Sequence, residues 1–100
     1  MKIVSVIIQP NSKTEFADFL KLSELTSEFM FTHIEFHADN LGSEKASNHD
    51  LVVGYTPMIR ADIFVESDKV DELLESLRPN SAVSGKRFCW INETQNFKVL

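Results

Sequence analysis

The sequence has a single cysteine, Cys89, so no disulfide can form within the chain. That shortage fits a reducing compartment. Basic residues are also few: 10 Lys and Arg against 15 Asp and Glu give a formal net charge of −5. No Lys/Arg cluster occurs, which disfavours nucleic acid as the main partner, because duplex binding draws its affinity from a basic face. A membrane surface is disfavoured for the same reason. Long apolar runs are missing too. The opening MKIVSVIIQP is interrupted by Ser5, stops at Pro10 and is followed by no small-residue cleavage site. It is too short to span a bilayer. The chain is expected to start near Met1, to stay in the cytoplasm and not to insert into a membrane. Catalytic signatures are absent: there is no nucleophile elbow, no HExxH, no phosphate-binding P-loop and no paired carboxylates in an apolar setting. No enzyme is expected.

What is present reads as one domain over residues 1–100, with 43% hydrophobic and 25% charged residues. Residues 2–9 are β-branched and apolar on both sides, the pattern of a strand buried on both faces. Pro10 breaks it. Ser12 and Glu15 have capping-box spacing, so a helix is predicted from there to about Leu25, with an apolar stripe of Phe16, Phe19, Leu20 and Leu22. Residues 29–38 alternate as a second strand. Residues 40–50 are polar, with no period, and read as a long loop, the kind that carries function. Residues 51–66 form a strand interrupted at Pro57. Beyond it Ile59, Ala61, Ile63 and Val65 face one way, and Arg60, Asp62, Phe64 and Glu66 the other. Ser67 is placed to cap a helix whose stripe is Val70, Leu73, Leu74 and Leu77; Pro79 ends it, with Arg78 at its negative end. Residues 87–91 form a fourth strand, and residues 97–100 a short edge strand.

The order β-α-β-β-α-β is the split βαβ, ferredoxin-like pattern: an α+β sandwich with an antiparallel sheet and two helices on one face. The other face is left open, yet strand one is apolar on both sides and Phe64 adds an aromatic group there. A small protein seldom leaves such a face wet, so the domain is expected to oligomerise through its sheet.

Three stretches carry a family resemblance. "KIVSVIIQP", "VGYTPMIRADIFVESDKVDELLESL" and "SGKRF" resemble, in order and spacing, segments of the nitrogen-regulatory PII family. The resemblance implies a homotrimer with sheets facing inward and a small effector, a nucleotide such as ATP or ADP, in the clefts between subunits. It implies ligand contacts at Ser84, Gly85, Lys86, Arg87 and Asp39. The segment 37–50 becomes the loop shown to a protein partner, a transporter or enzyme, through His37, Asn40, Gly42, Glu44, Lys45 and Asn48. The sequence also departs from the family. Met58 stands where the family has a phosphate-binding Lys, and Lys98 is the only cation in the last five residues, where the family has arginines. The only tyrosine, Tyr55, lies outside the loop, so the uridylylation switch of the family is not expected.

A second reading starts from His33, Glu35, His37 and Asp39, which share one side of a strand. Neighbours on one strand face lie about 6.6 Å apart, close enough for two to share an ion; His33 and His37, about 13 Å apart, are not. A divalent-metal site would combine Glu35 and His37 with His49 from the loop, a donor set suited to Zn, Ni or Cu(II). That would make the chain a metal sensor or tolerance protein, similar to the CutA type. The plainer readings are that this row is solvated or pairs with Arg60 or Asp62 across the sheet. Asp62, Glu66, Asp68, Asp71, Glu72 and Glu75 are then a solvated acidic stretch. Cys89 is read as packing rather than reactive, and Trp90 as cover for a subunit seam or the helix layer.

Overall fold

The computed structural model describes residues 1–37, 54–80, 83, 89–96, 98 and 100. β1 (Lys2–Ile8) leads through a 3₁₀ turn into α1 (Lys13–Leu22), followed by β2 (Thr26–Phe36), β3 (Thr56–Val65), α2 (Val70–Leu77) and β4 (Cys89–Glu93). The sheet order is β2-β3-β1-β4, with every adjacent pair antiparallel. β1 and β2 flank β3, and β3 and β4 flank β1, so two split βαβ units interleave. This is the expected ferredoxin-like α+β fold.

β1 lies in the middle of the sheet, which is why its β-branched run is buried from Val4 to Ile8. Its Val4, Val6 and Ile8 join Ile59, Ala61, Ile63 and Val65 of β3 on one face. Phe16 and Leu20 of α1 and Val70, Leu73 and Leu77 of α2 close over them as a single core. Phe29 and Phe31 of β2 pack at its edge, the Phe31 ring 6.4 Å from that of Phe16.

Several boundaries differ from the sequence reading, for local reasons. The capping box does not form. Pro10 opens a 3₁₀ turn, and Ser12 precedes α1 without a side-chain capping bond. α1 ends at Leu22, short of Leu25, because the Leu20 carbonyl accepts from the Ser23 amide at 3.2 Å and from the Thr26 hydroxyl at 3.1 Å. Leu22 then lies outside the core, 85% exposed. β2 consequently begins at Thr26, earlier than expected. The irregularity expected at Pro57 lies instead between Thr26 and Glu28, where the register shifts. Pro57 fits without a bulge because β1 reaches only to Ile59, so this part of β3 pairs with β2 alone. Ser67 does not cap α2; it lies in a 3₁₀ turn, and its hydroxyl accepts from the Met1 ammonium at 3.2 Å. β4 runs two residues beyond Ile91, and neither Lys98 nor Leu100 is in a strand.

Candidate functional site

β2 and β3 continue as a two-stranded arm past the end of β1, pairing Ile34 with Met58, Glu35 with Pro57 and Phe36 with Thr56. At its tip, His37 and Tyr55 bring their rings to 5.7 Å. Gly54 supplies a φ of +81° just before Tyr55, a conformation that suits glycine. The segment joining these strands therefore springs from the end of the arm.

One row of β2 side chains reads Phe29, Phe31, His33, Glu35, His37. The first two are partly buried and pack on the core, while the last three are exposed. The change from phenylalanine to polar residues marks where helix cover ends. His33 lies opposite Ile59, and Glu35 opposite Pro57. Arg60 and Asp62 project from the other face, so the expected pairing with them does not occur. Instead Glu35 Oε2 lies 3.5 Å from His37 Nε2, with side chains 65% and 62% exposed. Two potential ligands are thus adjacent. Among the described residues no third His, Cys, Asp or Glu joins them. His49, the expected third ligand, lies outside the described residues, as do Asp39, Asn40, Gly42, Glu44, Lys45, Asn48, Ser84, Gly85, Lys86 and Arg87.

The second face of the sheet carries a group that the sequence reading missed. Asp62 is not part of a solvated acidic stretch. Its Oδ1 accepts the Ser5 hydroxyl at 2.5 Å and Arg60 Nε at 2.9 Å. The Arg60 guanidinium lies over the Trp90 ring, 5.1 Å from its centre, so Trp90 covers this face and not the helix layer. Ser5, Asp62 and Trp90 fall in one cross-strand row of β1, β3 and β4. Arg60 belongs to the next row, beside Ile7 and Thr32. The surroundings are apolar: Ile3, Ile7, Met58, Phe64 and Ile34 share the face. Ser5, Ile7 and Met58 are already buried, while Met30, opposite Asp62, is 50% exposed. The i, i+2 spacing of Arg60 and Asp62 was the available signal.

Cys89 lies at the start of β4 opposite Val6, on the helix side. Partial desolvation pushes its thiol above the usual range. That is the opposite of what a nucleophilic cysteine needs.

No curated protein matches the chain. Among solved structures, a DUF3240 family protein from Shewanella baltica OS155 is similar with a TM-score of 0.74 at 17% identity, covering 99% of this chain and 94% of that one. A protein from Thermus thermophilus, taken to be a PII-like signalling protein, has a TM-score of 0.59 at 10% identity, covering 91% of this chain and 83% of that one. At such identities the likeness carries the fold, and it upholds the PII resemblance at that level. The model of a protein family of unknown function, DUF3240, matches residues 1–97, and the chain belongs to that family.

Proposed function

We propose that this chain is a PII-like regulatory protein of the cytoplasm rather than an enzyme. It assembles as a homotrimer through the open sheet face. It takes a small effector, a nucleotide or related anion, in the clefts between copies, and presents the segment 37–50 to a transporter or enzyme. The observation that supports this most is the β2–β3 arm, which extends beyond β1 and carries that segment at its tip. The mechanism is ordering of the segment by effector, which raises its binding-competent population. Met58 is 4% exposed within the sheet. Effector phosphates are therefore held from elsewhere, with residues 84–87 and Asp39 as the candidates.

A metal-sensing reading is supported by the adjacent Glu35 and His37 side chains. One thermal-shift series separates the two, because a ligand that binds only the folded protein raises its melting temperature. ATP or ADP raising the melt in the presence of chelator supports the nucleotide reading. Zn, Ni or Cu(II) raising it, with loss of the effect in His37→Ala, supports the metal reading. If neither class moves the melt, both ligand readings fall. Light scattering tests the assembly: the expected mass is three times the 11.4 kDa of one chain, and a monomer excludes the trimer.

A further inference from the structure

We infer that Arg60 and Asp62 form ion pairs with the Asp62 and Arg60 of further copies of this chain, and that these pairs direct how the second sheet face meets its own kind. The inference rests on the proposed assembly and names the contacts that steer it. Asp62 Oδ1 is used twice, by Ser5 and by Arg60 Nε. Among the described residues, Asp62 Oδ2 and the two terminal nitrogens of Arg60 have no partner. The two side chains are fixed in place: Asp62 is 13% exposed and braced by Ser5, and Arg60, 39% exposed, rests on Trp90. One donor edge and one acceptor oxygen thus stand side by side in an apolar frame that includes the half-exposed Met30.

Charge complementarity selects the occupant. A small anion satisfies Arg60 only, and meets Asp62 on a chain of net charge −5. A small cation satisfies Asp62 only. An apolar partner buries both groups half-paired, which is costly. Further copies present the same donor and acceptor, so that around a threefold axis one neighbour answers Arg60 and the other Asp62, with no net charge added to the contact.

Charge reversal with mixing is the test. Arg60→Asp and Asp62→Arg are each expected to abolish self-association, read by sedimentation velocity, with circular dichroism confirming a folded chain. An equimolar mixture of the two is expected to regain association in part, since in a ring of three copies two of the three contacts then join opposite charges and the third joins like charges. A purely intramolecular role gives no such rescue. Asp62→Asn keeps an acceptor for Ser5 and serves if the reversals do not fold; it is expected to raise the dissociation constant about thirtyfold or more. Folded reversal variants that assemble like the wild type overturn the inference. So do a mixture that stays monomeric and an Asp62→Asn protein of unchanged affinity. A monomeric wild type removes the assembly itself, a separate result from a wild-type trimer indifferent to these changes.

Discussion

Ser5 and Asp62 stand opposite each other on the β1–β3 ladder, and the Ser5 hydroxyl donates to Asp62 Oδ1 at 2.5 Å. Ser5 is fully buried, so this bond is what makes a hydroxyl tolerable in the middle of an apolar strand. Ser5→Ala is expected to cost about 1.5–3 kcal/mol, the range for a hydrogen bond to a charged group. Urea unfolding followed by circular dichroism measures it. A loss under about 0.5 kcal/mol, the level of an ordinary surface change, means that Arg60 alone satisfies the carboxylate.

Two leucines make a paired control for the core. Leu73 of α2 is fully buried in the core cluster, and Leu22 at the end of α1 is 85% exposed. Leu73→Ala is expected to cost about 2–5 kcal/mol through lost burial and the cavity left behind. Leu22→Ala should stay within about 0.5 kcal/mol of wild type. Comparable losses from both contradict the placement of α1.

Gly54 has room for a side chain, since an added Cβ meets nothing within 4 Å, but its φ is +81°. The cost of Gly54→Ala is therefore one of backbone conformation, about 1–2 kcal/mol. Gly54→Asn should recover part of it, because asparagine tolerates this region better. An alanine variant with an unchanged melting temperature shows that the turn before Tyr55 does not hold this conformation.

Cys89 is expected to be sluggish toward iodoacetamide in the native protein and faster in urea. Desolvation raises its thiol, so the folded chain favours the neutral form. The associated stability is present below the ordinary thiol range and is lost as pH rises through the raised value. Alkylation should speed up with pH in both states. Equal native and unfolded rates at mildly alkaline pH contradict the shift.

The parts of the fold legible in the sequence were those set by a strong apolar period. The two-sided run of β1, the α2 stripe and the alternation from Ile59 to Val65 each lie where expected. Element ends were less legible, because hydrogen bonds between residues far apart on the pattern decide them: the Thr26 hydroxyl helps end α1 by taking the Leu20 carbonyl. Cross-strand phase was hidden too. His33 was a plausible partner for Arg60 until the register placed it opposite Ile59, with a shift near Ser27 that composition does not announce. The Arg60–Asp62 spacing was readable, but Ser5 and Trp90 join that pair only through the strand order β2-β3-β1-β4. Asp62 was hidden among acidic neighbours that do lie on the surface.

Trp90 is the only tryptophan in the chain, and the Arg60 guanidinium lies over its ring. The indole emission of this protein therefore comes wholly from the second sheet face. Whatever lifts Arg60, excludes water from the ring or presses another surface on it changes the wavelength and yield of that one fluorophore. The molecule carries its own optical probe on the face through which assembly is proposed, while the arm that carries the segment 37–50 stays dark at that wavelength.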